Sequence, residues 1–496
     1  MKPLNSKWVF DVRHRLDGSI ARFKARLVAC GNRQSPQQYE ATFAPVARYT
    51  TFRMLAAIAC KYDLELDSID VSTAYLNGKI DTVVYMRQPP GCEVKGKENY
   101  LCLLLKGLYG LKQAGRLWNQ DLHNTLTALR FTQCRSDECL YFKTTTSGER
   151  MYVLAYVDDI VIACKSKEDV AKFKRDFAAR GNYKITDRGA LSSFLGIEIR
   201  RDRPNKKLWM GQPGYIQDVL ERFRMSDAKS EPTPEKPSKE DRLTEAMCPQ
   251  TNAEKAYMKR MPVRELIGCL NYIATKTRPD IAHALQQVSQ FQSNMGKQHW
   301  TAALHILKYL KGTINHGILY NGTDDELQGH FGKAHKLACF ADSDWANDKD
   351  KRKSVGGNVF TLFGGIIDYT CRKCRDTAMS SQEAEYYAAC DAAKTGRYLR
   401  NLLNELEILD DDPIILREDN RGCIDFSHKA IATSQMKHLA LRYHFLRDYV
   451  RQGIIKFEKV HTSENVADIF TKALGTTKFT NLRDKMRISP KIRDSR

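Results

Sequence analysis

Two adjacent aspartates, Asp158 and Asp159, interrupt the apolar run MYVLAYVDDIVIAC at residues 151–164. Residues of high β propensity on both sides predict two strands, joined by a turn that contains the pair. Both predicted strands are apolar enough to be central in a sheet, which would place the turn near a protein core. Two carboxylates there repel each other and resist desolvation unless a cation lies between them. Because aspartate is also common in turns, a plain turn remains the alternative.

A third acidic residue, Asp70, ends the strand predicted for LELDSIDV at residues 64–71. If this strand neighbours the hairpin, Asp70 joins Asp158 and Asp159. Three hard oxygen donors around one point suit Mg²⁺, which prefers carboxylates together with substrate phosphates. Two such ions about 3.5–4 Å apart would hold both the attacking and the leaving oxygen of a phosphoryl transfer.

The rest of the chain mixes strands and helices without a regular alternation, which predicts an α+β fold rather than a doubly wound one. Residues 226–262 are rich in proline, serine and charge, as is typical of a linker or an extended surface segment. Helical patterns follow, and a third region begins near Leu337 with the predicted strand LACFADSDW. The basic residues from Thr477 onward predict a loosely held tail.

The formal net charge of +20 favours a polyanionic partner such as nucleic acid, with a generic basic surface as the alternative. The 14 cysteines are scattered, which is typical of buried thiols in a reducing compartment. Cys371 and Cys374 have CxxC spacing, but they lack a second pair nearby, so we expect no zinc site. We also expect no membrane span and no signal peptide, because long apolar stretches are missing from the sequence.

A second acidic set lies at the ends of predicted strands and on predicted helices: Asp342, Glu385, Asp419 and Asp468. Such positions can converge on one metal pair. Two neighbours compete for these roles. Glu383 follows Ser380 by three residues and fits a capping box, which predicts a structural role for its carboxylate. Asp344 shares a strand face with Asp342, so the residues alone leave both open.

Motifs along nearly the whole chain resemble the reverse transcriptases of copia-type LTR retrotransposons. They occur in the family's order and include RFKARLVACGNRQ, LDSIDVSTAYLNG, LLLKGLYGLKQAGRLW, YVLAYVDDIVIA, SFLGIEI, ADSDWAND, SSQEAEYYA and NVADIFTKAL. The resemblance implies an RNA-directed DNA polymerase with ribonuclease H activity. It also implies two Mg²⁺ ions at each active site, with Mn²⁺ as a substitute.

The resemblance implies this order of parts: a reverse transcriptase fingers and palm domain with an antiparallel sheet and helices (1–225), a linker (226–262), a helical connection (263–336), an RNase H-like α/β domain with a mixed sheet (337–476) and a basic tail (477–496). The implied partners are an RNA template, a DNA primer, an RNA–DNA hybrid and deoxynucleoside triphosphates. Dimerisation and a larger polyprotein stay open. The implied location is a cytoplasmic virus-like particle or the nucleus.

For the polymerase, the resemblance implies that Asp70, Asp158 and Asp159 are the metal ligands. Tyr75 would lie under the incoming sugar and exclude a 2′-hydroxyl; a packed aromatic residue is the alternative. The remaining implied substrate contacts are Lys24 or Arg26 on the triphosphate, Tyr109 and Gly110 on template and nucleotide, and Gly196 in a turn that holds the primer end.

For the nuclease, the resemblance favours Asp342 over Asp344 and Glu385 over Glu383, with Asp419 and Asp468 completing the metal ligands. His461 is a further candidate, as a proton shuttle, whereas His438 and His444 are expected to pack or to face substrate. The chain departs from the family pattern at Cys30, Gly115 and Ala440, none of which is an expected metal ligand.

Three functions are therefore compatible with the sequence. The first is an enzyme with both activities, since all seven expected carboxylates are present. The second is a noncatalytic nucleic-acid binder. The third is a nuclease alone, because the chain begins inside the family's usual fingers region and without the capsid, protease and integrase parts, as a truncated remnant would.

Overall fold

The computed structural model describes residues 2–14, 20–238, 242–323, 336–409, 412–428 and 440–495. Contacts divide the chain into two compact units. The first comprises Met1–Arg48 and Leu64–Leu191, and the second comprises Tyr49–Asp63 and Ser192–Arg496. Among the described residues, no helix is long and apolar enough to cross a membrane. His438 lies outside the described residues.

The α-helices follow the helical patterns of the sequence. In chain order they are α1 (Tyr49–Lys61), α2 (Ala114–Ala128), α3 (Lys167–Gly181), α4 (Pro213–Arg222), α5 (Asn252–Lys259), α6 (Val263–Lys276), α7 (Ala282–Ser289), α8 (Lys297–Gly312), α9 (Ser381–Glu405), α10 (Arg421–His428), α11 (Ala440–Arg451) and α12 (Thr476–Lys485).

The first unit contains a six-stranded antiparallel sheet and two small ribbons. Its strands are β1 (Ser6–His14), β2 (Ile20–Ala29), β3 (Glu65–Val71), β4 (Tyr85–Arg87), β5 (Leu101–Leu103), β6 (Thr132–Gln133), β7 (Leu140–Thr144), β8 (Arg150–Tyr156), β9 (Asp159–Cys164) and β10 (Ile185–Ala190). The sheet order is β10-β3-β9-β8-β7-β6, while β1 pairs with β2 and β4 with β5.

Strands β8 and β9 are buried along almost their whole length, so the prediction of two central strands is confirmed. One sheet face packs against α2 and α3, whose side chains include Trp118 and Phe177. Ser166 caps the N-terminus of α3, where its hydroxyl accepts a hydrogen bond from the Asp169 amide at 3.1 Å. The hairpin is therefore mounted on a packed core.

The second unit contains two five-stranded sheets. Its strands are β11 (Ser193–Phe194), β12 (Ile197–Asp202), β13 (Lys207–Gly211), β14 (His316–Asn321), β15 (Leu337–Asp344), β16 (Val355–Leu362), β17 (Gly365–Lys373), β18 (Ile414–Glu418), β19 (Ile455–Lys459) and β20 (Ile488–Pro490). One sheet has the order β11-β12-β13-β14-β20 and is antiparallel.

The other sheet, β17-β16-β15-β18-β19, is mixed. Strand β15 pairs antiparallel with β16 and parallel with β18, which pairs parallel with β19. Helix α9 packs on β15 and β16. With antiparallel sheets and helices elsewhere, these observations confirm the α+β class and the mixed sheet. The predicted domain limits stay a prediction.

The expectation of a loosely held tail is wrong. The residues after Thr477 are not a loose tail, because Phe479, Leu482 and Met486 are buried and β20 pairs with β14. The predicted helical connection also contains a strand, β14, which lies between β13 and β20 in a sheet. The predicted linker carries a short capped helix, α5, in which Thr251 and Glu254 form a capping box.

All 14 cysteines are free thiols, in agreement with the absence of a disulfide framework. Cys60, Cys139, Cys164 and Cys390 are buried as predicted, whereas Cys102 is only partly buried. Burial raises the pKa of Cys60 to about 11 and that of Cys139 to about 12, so both behave as small apolar side chains.

Candidate active sites

Strand pairing brings the first acidic set together. Asp70 on β3 lies directly opposite Asp159, the first residue of β9. Asp158 precedes it in the turn, where its carbonyl oxygen accepts a hydrogen bond from the Val71 amide at 2.8 Å. The expectation that the strand of Asp70 neighbours the hairpin is therefore confirmed.

The turn that carries Asp158 is held in an unusual conformation. Val157 has φ of 56°, in the left-handed region that β-branched residues rarely adopt. Its carbonyl oxygen accepts a hydrogen bond of 2.7 Å from the indole nitrogen of Trp118, a buried residue of α2. Strain of this kind persists where surrounding structure imposes it, and it is concentrated at functional sites.

A cation that sequence reasoning missed lies between two of the carboxylates. The guanidinium of Arg188 donates to Asp70 Oδ1 at 2.6 Å and lies 2.9 Å from Asp159 Oδ1. Burial raises the pKa of Asp159, and Asp158 and Asp70 act in the same direction, while Arg188 opposes them. The site thus combines concentrated negative charge with one internal counter-ion.

Two tyrosines stand beside the carboxylates. The rings of Tyr75 and Tyr109 meet edge to face, with centroids 5.2 Å apart. Burial, and after it the charge of Asp158, raises the pKa of both hydroxyls. The Arg26 guanidinium lies 5.8 Å from the centroid of the Tyr109 ring. Lys24 is two residues away on β2 and so shares the strand face of Arg26, which leaves the choice between the two cations open.

Gly110 has a structural reason to be glycine. Its φ is +91°, and a Cβ there would overlap the Ala29 carbonyl oxygen. The Ala29 amide donates to the Tyr109 carbonyl oxygen at 2.8 Å, which fixes this loop to the end of β2. The close approach of the backbones at Ala29 and Gly110 therefore explains why this position is glycine. A substrate contact by Gly110 stays a prediction.

Gly196 belongs to the second unit, where it forms the tight turn between β11 and β12. Leu195 and Gly196 both have positive φ, 48° and 77°, as in the two-residue turns that match the twist of a hairpin. The Tyr272 hydroxyl donates to the Leu195 carbonyl oxygen at 2.7 Å and holds the turn. Primer contact by this turn stays a prediction.

Three members of the second acidic set converge. Asp342 on β15, Glu385 on α9 and Asp419, which follows β18, each offer one oxygen, and these oxygens lie within 4.8 Å of one another. Asp342 and Glu385 are buried. Within the described residues, Oε2 of Glu385 has no hydrogen-bond partner. A buried oxygen without a donor suits a cation ligand.

Asp468 lies in the 3₁₀ helix Val466–Phe470 and is fully buried, but it is not one of these three converging residues. It pairs instead with Lys478 and with Lys472, whose ammonium lies 2.7 Å from Asp468 Oδ1 and 3.2 Å from Asp342 Oδ1. Burial opposes the charge of Lys472, but Asp342 and Asp468 raise its pKa overall. Lys472 therefore links the fourth acidic residue to the cluster.

Glu418 is a fifth carboxylate that sequence reasoning missed. It is fully buried on β18 next to Asp419, and one of its oxygens accepts from the Asn420 amide at 3.1 Å. Burial raises the pKa of Glu385 and of Glu418, and the neighbouring carboxylates raise both further. The sequence signal for Glu418 was its position beside Asp419, as a second acidic residue at the end of the same predicted strand.

The two competing acidic residues, Glu383 and Asp344, lie outside the converging group. Ser380 caps the start of α9, since its Oγ accepts from the Glu383 amide at 3.1 Å. The Glu383 carboxylate accepts from the Met379 amide at 2.8 Å, one residue before the cap, so the predicted capping box is not closed. Asp344 is buried beside Asn347 and His283, outside the converging group. His461 is exposed in a turn, with Nδ1 2.8 Å from Ser463 Oγ, and its catalytic role stays a prediction.

Comparison with known proteins gives a consistent picture. Residues 1–237 match the family described as reverse transcriptase (RNA-dependent DNA polymerase). The chain is 38% identical over 479 residues to the retrovirus-related Pol polyprotein from transposon TNT 1-94 of Nicotiana tabacum. This match covers 96% of this chain and 35% of the relative. The chain is 35% identical over 486 residues to that from transposon RE1 of Arabidopsis thaliana, covering 97% of this chain and 31% of the relative.

The chain thus spans about a third of the length of these curated relatives. Among solved structures, an RNase H1 isolated from compost by a metagenomic approach is 16% identical, with a TM-score of 0.22. That match covers 27% of this chain and 92% of the other.

Proposed function

From the similarity of this chain to copia-type retrotransposon Pol polyproteins, we propose that it is an RNA-directed DNA polymerase with ribonuclease H activity. The observation that carries the proposal is the strand register that places Asp70 opposite Asp159, with Asp158 in the adjoining turn. The converging oxygens of Asp342, Glu385 and Asp419 support a second, separate phosphoryl-transfer site.

Both sites offer carboxylate oxygens, which Mg²⁺ prefers. Among the described residues, only Asp342, Glu385 and Asp419 bring their oxygens within 4.8 Å of one another. Asp70, Asp158 and Asp159 would hold it at the polymerase site; Asp342, Glu385, Asp419 and Asp468 would hold it at the nuclease site. Buried carboxylate oxygens without a hydrogen-bond partner, Oδ1 of Asp159 and Oε2 of Glu385, suit such a cation. When bound in pairs, the ions would neutralise charge on the attacking and leaving oxygens.

The protein's own contribution to polymerisation is position and charge. The paired strands hold the acidic residues rigidly, which places the reacting groups at little entropic cost. Arg26 or Lys24 would balance the charge of the triphosphate. The Tyr75 ring would close the space beside the sugar. Base pairing reads the template, so the protein should bind backbones and helix shape with little preference for sequence.

In the nuclease site, the buried acidic residues and Lys472 form a compact charged centre on a mixed sheet. The substrate proposed for it is the RNA strand of an RNA–DNA hybrid, the product of the first activity. Thr471 would orient Asp342, since its hydroxyl donates to that carboxylate.

Primer extension on poly(rA) with oligo(dT) and Mg²⁺ tests the polymerase. We expect extension by the full chain and none by Asp158→Asn. Asp218→Asn, on the exposed surface of α4, is the matched control and should extend normally. Extension no greater than that of Asp158→Asn would refute the polymerase proposal.

Cleavage of labelled RNA in a hybrid, compared with the same RNA alone, tests the nuclease. We expect Asp342→Asn to abolish hybrid cleavage, whereas Asp158→Asn should cleave normally. Cleavage without extension would support a nuclease alone. Metal-independent, salt-sensitive binding with neither activity would support a noncatalytic binder.

A further inference from the structure

Arg188 makes two ion pairs with the proposed metal ligands of the polymerase site. One guanidinium nitrogen lies 2.6 Å from Asp70 Oδ1, and the other lies 2.9 Å from Asp159 Oδ1. The planar fork of arginine can bridge two acceptors in this way, which a lysine ammonium does less well. The contact therefore joins the two carboxylates that face each other across β3 and β9.

A β-bulge aims Arg188 at the site. On β10, Asp187 lies opposite Ile69 and Gly189 lies opposite Ser68, so Arg188 is the extra residue at the register shift. Such a bulge redirects a side chain and is common next to active sites. Gly189 supplies the positive φ of 65° that this backbone requires.

The bulge is itself anchored. Asp187 Oδ1 accepts a hydrogen bond of 2.8 Å from the Gly189 amide and another of 2.7 Å from the Lys174 ammonium. Lys174 is buried on α3 and also pairs with Asp67 of β3. These contacts connect the bulge to its neighbouring strand and helix, so the position of Arg188 is built into the fold.

We propose that Arg188 is a positioning residue that serves as the internal counter-ion of the metal-free polymerase site. It holds Asp70 and Asp159 together against their mutual repulsion, and a divalent cation would compete with it for these two carboxylates. The inference rests on the proposed function, which assigns those carboxylates to the metal. It implies that the enzyme binds metal more weakly than its carboxylates alone would allow.

Binding of Mn²⁺ to the full chain, followed by the loss of the free-ion EPR signal, tests the inference. All proteins carry Asp342→Asn to disable the second site, and Asp70→Asn identifies the signal of the first. We expect Arg188→Met to bind Mn²⁺ about three- to tenfold more tightly, given two partly exposed ion pairs. Arg188→Lys should restore part of the weaker binding.

Lys184 provides the matched control for charge. It is exposed just before β10 and makes no ion pair in the described part of the chain, so Lys184→Met removes the same charge without touching the carboxylates. Its Mn²⁺ affinity should change less than twofold. Equal affinities for Arg188→Met and the parent, or an equal gain in Lys184→Met, would overturn the inference alone. A parent and an Arg188→Met variant that both lack Asp70-dependent binding would overturn it together with the proposed polymerase site.

Discussion

Tyr75 stands beside the first acidic set, and the proposed function assigns its ring to the exclusion of ribonucleotides. It is half-buried, it meets Tyr109 edge to face, and Asp158 is close enough to raise the pKa of its hydroxyl. We expect Tyr75→Val to lower the preference for deoxynucleotides over ribonucleotides at least about tenfold, or about 1.4 kcal/mol. The ratio of the two kcat/KM values measures this preference.

Tyr75→Phe is the control for that prediction, because it keeps the ring and removes only the hydroxyl. It should discriminate between the sugars as the parent does. Unchanged discrimination in Tyr75→Val would mean that Tyr75 is a packed aromatic residue and not a steric gate.

Gly110 offers a second test at single-residue scale. Alanine there would both adopt an unfavourable φ of +91° and overlap the Ala29 carbonyl oxygen. We expect Gly110→Ala to lower the free energy of unfolding by about 2–4 kcal/mol, since strain and overpacking add. Gly148→Ala, at φ +86° with nothing within 4 Å, should cost only about 1 kcal/mol. If urea denaturation gave similar losses of stability for Gly110→Ala and Gly148→Ala, the close approach to Ala29 would have no energetic effect.

Among the helices and strands, α12 and β20 turn the end of the chain into part of a core. Leu482 is fully buried on α12, whereas its neighbour Asn481 is exposed. We expect Leu482→Ala to cost about 2–5 kcal/mol of stability because it leaves a cavity, and Asn481→Ala to cost less than about 0.5 kcal/mol. If thermal unfolding showed equally small losses of stability for the two variants, α12 would not contribute to the stability of the fold.

A buried ion pair joins the connection between α6 and α7 to α8. Arg278 and Asp280 are fully buried 2.7 Å apart, and the Tyr309 hydroxyl donates to Asp280 at 2.5 Å. Burial alone would raise the pKa of Asp280, but Arg278 and Tyr309 hold it below its usual range.

The stabilising effect of ionised Asp280 is therefore complete above the ordinary aspartate pKa of about 4, and it is lost as pH falls through the lower folded-state value. We expect Asp280→Asn to cost about 3–5 kcal/mol at pH 7, because Arg278 is left buried without its partner. The difference from the parent should shrink below about pH 4 in urea titrations. A constant difference across that range would contradict the pairing.

How much of these elements the sequence predicts depends on the length of each pattern. The hairpin of β8 and β9 and the 25-residue helix α9 have long patterns and clear boundary residues. Strand β14 is only six residues long and begins shortly after α8, so its pattern is short. Its partners β13 and β20 are distant in the chain. Phe479 and Leu482 of α12 and Met486, which follows the helix, have helical spacing. Charged residues surround them and make the pattern resemble a tail.

At the scale of the whole molecule, seven acidic residues stand out in the sequence, whereas Glu418 and the counter-ion Arg188 do not. Asp70 and Asp342 lie on apolar strands, where an acidic residue is conspicuous. Arg188 reaches its site only through a bulge, which depends on how β10 pairs with β3. Lys472 was within reach, since it follows Asp468 by four residues. Charges that a fold assembles across elements leave little trace in local sequence.

The net charge of +20 should govern how the whole chain binds nucleic acid. If about six phosphates are neutralised, releasing their counter-ions makes affinity for an RNA–DNA hybrid fall about 10³-fold between 50 and 200 mM salt. Fluorescence anisotropy measures this, with hybrids of equal length and different sequence as the control. We expect the same steep slope for each sequence, because phosphates carry no sequence information. A shallow slope, or affinity that follows sequence, would mean that base contacts rather than the basic surface dominate binding.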